Sequence, residues 1–372
     1  MKNIFRKIFY IALAPLFVAC SGGGGNAYII GAMPSVEDGY ALGVSACYAA
    51  TYDGRVMLAG GCNFPETPAA DGGAKRYYQG IYLSSGTDNL QWEQIGELPQ
   101  PSAYGVSLQY GNSLIIAGGM NSDGAHSTVY MLSDENGACR VKELTPLPCT
   151  IDNAAGAIVG SRIYIVGGNA DGRASSRVFT MDISAPESGW LEMAPFPGRG
   201  RVQPVCAATE NALYVWGGFT PNDSTGSAKV HCDGAKFEFA DGMWRPLPAM
   251  YDEGGDPFTL SGGTAALYTP CHIVITGGVN RAIFEDAISG TYYYIPQKEY
   301  MLQSEGWYRF NDRLLVFDTR SEQWEIVARN SLFARAGALL ATDGENLLYI
   351  GGELKPGIRT PEIVSIEGVV SR

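Results

Sequence analysis

The sequence predicts an all-β protein built as a six-bladed β-propeller, and three observations lead to this fold class. A run of β-branched or aromatic residues ending in Gly-Gly occurs six times, at spacings of 49 to 74 residues. Glycine is abundant, with 48 residues, and short runs of Val, Ile and Tyr recur between turn-forming residues. No segment sustains a helical period of apolar residues. We therefore expect residues 27–372 to form one domain of repeated β-sheets.

Each repeat contains four strand-like segments, which is typical of the Kelch repeat. The first strand consists of small residues, and the second is the β-branched or aromatic run that ends in the glycine pair. A third strand and a fourth strand follow the pair, and the fourth often contains a tryptophan. The glycines are expected where the chain bends close to the central axis, because a side chain would collide there. The tryptophans are expected to fill the wedge between neighbouring blades. The six glycine pairs begin at Gly60, Gly118, Gly167, Gly217, Gly277 and Gly351, and the tryptophans are Trp92, Trp190, Trp244 and Trp324.

The last blade is predicted to take strands from both ends of the sequence. After the sixth glycine pair, residues 362–366 supply a third strand, and no fourth strand follows. The apolar segment Ala27-Tyr28-Ile29-Ile30 supplies a strand at the other end. Pairing this N-terminal strand into the last blade would leave no open sheet edge. The sequence thus predicts a propeller closed by its N-terminal strand.

The first residues have the pattern of an export signal. Residues 1–19 combine a basic start, containing Lys2 and Arg6, with an apolar stretch too short to span a bilayer. The stretch ends at Ala19-Cys20 and resembles the lipobox of bacterial lipoproteins, so residues 20–26 are predicted to be a lipidated Cys20 followed by a flexible tether. An ordinary secretory signal cut near Ala19 is the alternative. We expect a lipid-anchored protein on the periplasmic side of a bacterial membrane, with cell-surface display left open.

Composition and spacing disfavour several classes of function. A net charge of −12 argues against nucleic acid as a partner. Seven cysteines follow Cys20 without C-x-x-C spacing, so at least one is unpaired, and a single disulfide is left open. His126, His231 and His272 show no metal-ligand spacing, which also disfavours a copper radical oxidase. No P-loop, dinucleotide fingerprint or nucleophile elbow is present. The sequence therefore predicts neither a metal nor a cofactor.

Propeller geometry predicts which loops share a site. Residues just after each glycine pair, and residues just before each first strand, converge around the mouth of the central channel. This places Asn280, Arg281 and Glu353 of the first set near Tyr104, Asn153, Arg201 and Arg335 of the second. Arginines, a glutamate and amides around one funnel suit an anionic, hydroxyl-rich ligand. The long aromatic insertion, residues 279–313, is expected to be ordered as a lid, a pocket wall or an oligomer contact.

The loop after the sixth glycine pair carries the strongest candidate for chemistry. The turn Lys355-Pro356-Gly357 folds the chain back, so that Glu353 and Arg359 can approach each other. Glu353 can accept a proton, and Arg359 can hold a carboxylate or lower the pKa of that glutamate. A loop-closing salt bridge without a catalytic role is the alternative.

Several stretches resemble the bacterial N-acetylneuraminate mutarotases, also called epimerases, which are Kelch propellers. They are TGGVNRAIF at 276–284, RLLVFDTRSEQW at 313–324 and GGELKPGIRT at 351–360. The resemblance implies a catalytic Glu353 with Arg359 as its partner, and interconversion of the α- and β-anomers of N-acetylneuraminate without metal or cofactor. Residues 103–119 resemble a segment near the C-terminus of family members, which implies a circularly permuted chain.

Two alternatives stay open at this stage. Ser102 stands where an arginine is usual in the family, so another acidic or N-acetylated sugar is a possible substrate. A non-catalytic glycan- or protein-binding propeller would be favoured if Glu353 and Arg359 faced bulk solvent. The partners expected are an acidic amino sugar and, through the lipid anchor alone, a membrane. The sequence does not predict the oligomeric state.

Overall fold

The computed structural model describes residues 25–87, 90–224, 226–342 and 347–370. Antiparallel sheets dominate it, which confirms the all-β class. Within the described residues, six sheets share one plan of four strands, each hydrogen-bonded to the next. We number them 1 to 6 along the chain and name their strands first to fourth from the inside outwards.

The strand bounds follow this plan. Sheet 1 comprises Tyr48–Tyr52, Arg55–Ala59, Gly80–Ser84 and Trp92–Glu97. Sheet 2 comprises Val106–Tyr110, Ser113–Ala117, Val129–Glu135 and Ala138–Leu144. Sheet 3 comprises Ala155–Val159, Arg162–Val166, Val178–Asp182 and Leu191–Glu192. Sheet 4 comprises Val202–Ala208, Ala212–Thr220, Gly234–Glu238 and Met243–Pro246, with Lys229–Val230 paired to its second strand. Sheet 5 comprises Gly263–Thr269, His272–Gly277, Arg313–Asp318 and Gln323–Arg329. Sheet 6 comprises Leu339–Thr342, Leu347–Ile350, Glu362–Glu367 and Asn26–Ala32.

Shorter elements lie outside the sheets. Small ribbons pair Cys62–Asn63 with Arg76–Tyr77, Met120–Asn121 with Gly124–Ala125, and Glu353–Lys355 with Ile358–Arg359. In a further small sheet, Asn169–Ala170 pairs with Ile151–Asp152 on one side and with Arg173–Ala174 on the other. The helices α1, Arg281–Ser289, and α2, Gln297–Tyr300, both lie in the insertion. Single 3-10 turns occur at Tyr40–Leu42, Ala69–Asp71, Pro186–Ser188, Glu305–Tyr308 and Ser331–Phe333. None of the helices in the described part of the chain has the length and apolar character needed to cross a membrane.

The first strands of the six sheets stand around a common centre. Each contacts the first strand of the next sheet, and sheet 6 contacts sheet 1 in the same way. Close to the start of each first strand, one residue donates its N–H to the carbonyl of the equivalent residue in the neighbouring sheet, with N···O distances of 2.7 to 3.2 Å. We call these residues the axial ring: Ala46, Tyr104, Asn153, Gln203, Gly262 and Gly337. All six have a positive φ, between 51° and 71°. From Tyr104 to Gly337, each member donates its N–H to the carbonyl of the member before it along the chain. The N–H of Ala46 donates to the carbonyl of Gly337, which closes the ring.

The glycine pairs lie where the sheets approach most closely. Both residues of all six pairs have a positive φ. At the sixth pair, a Cβ atom on Gly351 would lie 2.6 Å from the carbonyl oxygen of Val44, and one on Gly352 would lie 3.0 Å from that of Ala336. Side chains would collide with backbone at both positions, so the predicted role of the glycine pairs is confirmed.

The core is divided between neighbouring sheets. Each apolar cluster combines buried side chains of two adjacent sheets. Three of the predicted tryptophans also hydrogen-bond backwards to the preceding sheet. The indole N–H of Trp92 donates to Ala32 at 2.8 Å, that of Trp190 to Thr145 at 3.0 Å, and that of Trp244 to Ala194 at 2.9 Å. These side chains thus fill the wedges between sheets.

The N-terminal strand pairs with the end of the chain. Asn26–Ala32 runs antiparallel to Glu362–Glu367, from the pair Asn26 and Glu367 to the pair Ala32 and Glu362. The predicted signal peptide, residues 1–19, and the predicted lipidation site Cys20 lie outside the described residues. The seven cysteines that are described are all unpaired.

Candidate active site

Glu353 is the first residue after the sixth glycine pair. Its backbone N–H donates to the carbonyl of Ala336 at 2.7 Å, and the N–H of Ala336 donates to the carbonyl of Glu353 at 2.9 Å. Ala336 immediately precedes Gly337 of the axial ring. The two hydrogen bonds therefore fix the backbone of Glu353 beside the centre of the molecule.

A short ribbon brings Glu353 and Arg359 together. Glu353–Lys355 pairs with Ile358–Arg359, and Glu353 stands directly opposite Arg359. Gly357 in the connecting turn has a φ of 86°, a conformation that side chains rarely adopt. Directly opposed residues of antiparallel strands project to the same side. Nη2 of Arg359 accordingly forms an ion pair with Oε1 of Glu353. We call these two strands and their turn the site ribbon.

Glu353 lines a cavity of about 340 Å³ next to the axial ring, which we call the axial cavity. Polar lining comes from Glu353, Ser45, Tyr104, Gln203 and Asn280, and apolar or aromatic lining includes Phe219, Ile283, Phe284, Ile288, Tyr292, Tyr300 and Phe310. The side chain of Glu353 is 24% exposed and that of Arg359 is 2% exposed. Glu353 therefore faces a partly enclosed cavity, and Arg359 is buried behind it.

Arg359 lies behind Glu353, and one of its hydrogen-bond donors is unsatisfied. Its Nε donates to Oγ of Ser45 at 3.2 Å, and its guanidinium lies over the ring of Phe64, 4.9 Å from the centroid. Its buried Nη1 has no hydrogen-bond partner within the described residues. A buried donor without a partner is costly, so Nη1 is the least satisfied donor of this guanidinium.

Lys75 adds a second positive charge to the site. Its Nζ donates to the hydroxyl of Tyr104 at 2.9 Å and lies 4.7 Å from the centroid of the tyrosine ring. Together, ionised Glu353, Arg359 and Lys75 carry one net positive charge. This balance favours an anionic ligand.

Burial and charge act in opposite directions on Glu353. Burial raises the pKa of its carboxyl above the ordinary value, while the positive charges of Arg359 and Lys75 oppose that rise. Burial also raises the pKa of Tyr104, so its hydroxyl is protonated at neutral pH. The axial cavity therefore offers a carboxylate with increased basicity beside a neutral phenol.

The aromatic insertion forms one wall of the axial cavity. Asn280 caps helix α1, since its side-chain oxygen accepts from the N–H of Ile283 at 3.1 Å. The first two turns of α1 then present apolar side chains to the cavity. Lys355 of the site ribbon donates to the carbonyls of Gln303 at 2.7 Å and Met301 at 3.4 Å. Of the three roles left open by the sequence, the structure has the insertion as a pocket wall.

The predicted site residues are only partly brought together. Glu353, Tyr104 and Asn280 line the axial cavity, and Arg359 lies directly behind it. Asn153 belongs to the axial ring, where its Oδ1 accepts from Nε2 of Gln203 at 2.8 Å. Arg281 is the first residue of α1 and lines a separate pocket of about 690 Å³ on the other side of Asn280.

Arg201 and Arg335 do not line the axial cavity, which corrects their predicted place at the funnel mouth. Nη1 of Arg201 donates to the carbonyl of Gly217 at 3.0 Å, and its Nη2 pairs with Asp233 at 2.8 Å. Arg335 repeats the arrangement, with Nη1 on the carbonyl of Gly351 at 3.2 Å and Nη2 on Glu362 at 2.8 Å. Both guanidinium groups thus join the second strand of a sheet to the segment around its third strand.

The physical reason is a shift of two residues. Arg201 and Arg335 stand two positions before the axial ring, whose members in their sheets are Gln203 and Gly337. Aligning the repeats on Tyr104 and Asn153 would have found Gln203. Ser45, Phe64 and Lys75 were also missed. Lys75 lies in the irregular loop after the first glycine pair, and no pattern in the sequence marks it.

One further group of possible metal ligands occurs among the described residues. Cys271, His272 and Asp318 have ligand atoms within 4.8 Å of one another. They lie where the second strand of sheet 5 begins and its third strand ends, away from Gly277 and the axial cavity. The group is therefore separate from the site built around Glu353.

Comparison with known proteins identifies the family. The sequence model of the N-acetylneuraminate epimerase family matches residues 28–140 and 145–369. The chain is 31% identical over 224 residues to the N-acetylneuraminate epimerase of Haemophilus influenzae strain PittEE, covering 58% of this chain and 57% of that protein. It is 28% identical over 264 residues to that of Escherichia coli O1:K1 / APEC, covering 67% and 66%. These matches therefore span little more than half to two thirds of the relatives' length.

A solved structure has a similar fold. It is described as "Structure of YjhT" and matches with a TM-score of 0.64 and 13% sequence identity, over 91% of this chain and 97% of that one. At this level of identity the likeness concerns the fold alone, and it supports a β-propeller. On the extent of the family match, the chain belongs to the N-acetylneuraminate epimerase family.

Proposed function

We propose that this protein interconverts the α- and β-anomers of N-acetylneuraminate, with Glu353 as the proton acceptor. One observation carries the proposal: Glu353 opens onto the axial cavity while it is ion-paired with a nearly inaccessible Arg359. Membership of the family and the names of the relatives support the choice of substrate.

The reaction breaks and re-forms one carbon–oxygen bond, and the only help this needs is proton transfer. The anomeric hydroxyl loses a proton, the bond between the anomeric carbon and the ring oxygen breaks, and the ring oxygen gains a proton. The open-chain ketone then turns one face or the other to the returning hydroxyl, and the ring closes as either anomer. Every step moves protons between oxygen atoms, so the chemistry calls for general acid and base groups without a metal or cofactor. Glu353 is suited to the first transfer, because burial increases the basicity of its carboxylate.

The charge of the site suits an acidic sugar. N-acetylneuraminate carries a carboxylate on its anomeric carbon, so the negative charge lies next to the reacting atoms. Arg359 offers the unpaired Nη1 and Lys75 a second cation, and the two outweigh the charge of Glu353. A carboxylate held by a guanidinium would place the anomeric hydroxyl within reach of Glu353.

We also propose that the six sheets are the blades of one Kelch-type propeller closed by the N-terminal strand. The axial ring of hydrogen bonds and the pairing of Asn26–Ala32 with Glu362–Glu367 support this architecture. The circular permutation stays a prediction.

Lipid anchoring at Cys20 on the periplasmic side of a membrane is likewise a proposal, supported by the lipobox-like sequence. Growth of an expressing bacterium with radiolabelled palmitate tests it. We expect label on the full chain and none on Cys20→Ala, and an unlabelled full chain would contradict the anchor.

The test of function is to follow α-N-acetylneuraminate, freshly released by a sialidase, by proton NMR. We expect the rate of conversion to the β-anomer to rise in proportion to the concentration of folded protein, with unfolded protein as the control. A rate that is independent of protein concentration would contradict the activity. Binding without acceleration would favour a glycan-binding propeller.

A further inference from the structure

Ring opening requires a proton donor as well as a base, and Glu353 fills only one of these roles at a time. While its carboxylate takes the proton of the anomeric hydroxyl, another group has to deliver a proton to the ring oxygen. Arg359 is unsuited to this, since a guanidinium does not release its proton in proteins. The inference below rests on the proposed function and concerns the identity of that donor.

Tyr104 lines the same cavity as Glu353. Its backbone belongs to the axial ring, where its N–H donates to Ala46 at 3.1 Å and its carbonyl accepts from Asn153 at 2.7 Å. Its φ of 62° is uncommon for a tyrosine, and such a conformation persists only where the surroundings hold it. The axial ring therefore fixes the backbone from which the phenol projects.

Lys75 determines how the hydroxyl can be used. Its ammonium group donates to the oxygen of Tyr104 at 2.9 Å. The oxygen thus acts as acceptor towards Lys75, so the phenolic proton points away from Lys75, on the side where Cys62 is its neighbour in the absence of a ligand. A positive charge at this distance also stabilises the phenolate that remains once the proton has left.

We propose that Tyr104 is the general acid that protonates the ring oxygen, and that Lys75 is its positioning residue. As the bond between the anomeric carbon and the ring oxygen breaks, the electron pair passes to that oxygen, which takes the proton of Tyr104. Glu353 takes the proton of the anomeric hydroxyl, which becomes the ketone oxygen. When the ring closes, the sugar hydroxyl that becomes the ring oxygen gives its proton back to Tyr104. Glu353 gives its proton to the ketone oxygen, which becomes the new anomeric hydroxyl.

The surroundings of Tyr104 agree with a proton donor at neutral pH. The titratable or charged groups that face it are Lys75, Cys62, Glu353 and Arg359. Burial is the main cause of its raised pKa, and Cys62 and Glu353 add to the rise while Arg359 opposes it. The phenol is consequently protonated before each turnover.

The test compares the NMR kinetics of Tyr104→Phe with those of the unmodified protein. We expect kcat to fall about 10²-fold or more, the loss typical of a removed general acid. KM should change by less than about threefold, because the ring and its packing are retained. Tyr110→Phe is the matched control, since it removes one hydroxyl from the first strand of the same sheet, outside the cavity lining. It should leave kcat unchanged.

Lys75 supplies a second readout, which a purely structural role would not affect. Lys75→Met should lower kcat about tenfold, and Lys75→Arg should restore most of it. The alkaline limb of the kcat profile should be present in the unmodified protein and absent from the residual activity of Tyr104→Phe. Equal melting temperatures for the variants would show that the fold is retained.

The outcomes separate this inference from the function on which it rests. If the unmodified protein accelerates the reaction, Glu353→Gln does not, and Tyr104→Phe keeps its full kcat, the donor is another group and the inference is wrong. If the unmodified protein gives no acceleration at all, the proposed function itself fails.

Discussion

At Glu353, solvent exclusion and neighbouring charge act on one carboxyl group with opposite sign. Burial raises its pKa, and the positive charges of Arg359 and Lys75 lower it. Cys62, Tyr104 and Tyr300 also face this carboxyl, and burial raises the pKa of each of these groups. The neighbours are therefore neutral near pH 7, and the two cations set the ionisation of Glu353.

The activity should depend on pH accordingly. The base is active when ionised, so kcat should be lost as pH falls through the pKa of Glu353, which lies above the ordinary value for a glutamate. Arg359→Met removes the larger opposing charge and should move this acidic limb to higher pH. A kcat profile recorded by NMR between acid and neutral pH checks both statements. An acidic limb unchanged in Arg359→Met would show that Glu353 does not titrate in it.

Arg201 should matter for stability and not for catalysis. Arg201→Met removes donors from the carbonyl of Gly217 and from Asp233, and we expect the free energy of unfolding to fall by about 2 kcal/mol. Denaturant unfolding measures this, with the exposed Arg320→Met as a control that changes little. If kcat/KM falls about tenfold while stability holds, Arg201 binds substrate after all.

The sequence was enough to predict the positions of residues that lie close to one of the repeated glycine pairs. Glu353 follows a glycine pair directly, and Arg359 stands one short turn away, so their approach was predictable. Arg201 was misplaced by only two positions along the strand. Because of that shift, the side chain of Arg201 lies between the second and third strands of its sheet and not at the central axis. Lys75 was missed because it reaches Tyr104 from an irregular loop.

Among the elements, the site ribbon and the insertion act as a unit. Lys355 of the ribbon holds the backbone of the insertion at Met301 and Gln303, and α1 supplies part of the cavity wall. The insertion thus depends on the same ribbon that carries the acid and the guanidinium. We therefore expect Lys355 to influence how the substrate enters the cavity.

Lys355→Met should loosen this wall. Two backbone carbonyls lose their donor, so limited proteolysis within the insertion should become faster and KM should rise about three- to tenfold with a smaller change in kcat. Lys298→Met on the exposed side of α2 is the control. Unchanged proteolysis and KM in Lys355→Met would mean that the insertion is held by its own packing.

The helices of the insertion were beyond the reach of the sequence pattern. Helix α1 has nine residues, too few to be stable alone, and its amphipathic stripe is only two turns long. Its stability comes from the Asn280 cap and from packing over the axial cavity. Tertiary contact decides such an element, whereas the first to fourth strands of the sheets follow from a pattern repeated six times.

At the scale of the whole molecule, the axial ring brings residues from several sheets together in one cavity. Ser45 comes from the approach to sheet 1, Tyr104 from sheet 2, Gln203 from sheet 4 and Glu353 from sheet 6. Their separation along the chain disappears only when the sheets meet around one axis. Glycine spacing predicted that arrangement, because close approach of backbones requires residues without side chains.

Removal of the N-terminal strand tests this level of organisation. Deleting residues 26–32 exposes the third strand of sheet 6 and removes the acceptor of the Trp92 indole. We expect the free energy of unfolding to fall by at least about 3 kcal/mol and the protein to associate with increasing concentration. Denaturant unfolding and light scattering measure these changes, and a deletion within residues 21–25, the predicted tether, is the control. A truncated chain with the same association state and the same stability as the full chain would contradict the role of this strand.

The central claim is that the carboxylate of Glu353 performs the chemistry inside the axial cavity. The most direct measurement is kcat of Glu353→Gln for conversion of α- to β-N-acetylneuraminate by NMR, with sugar binding determined on the same sample. We predict that kcat falls about 10²- to 10⁴-fold while the sugar still binds, since glutamine keeps the shape of the side chain and loses its basicity. A Glu353→Gln protein that converts the anomers at the unmodified rate would contradict the account.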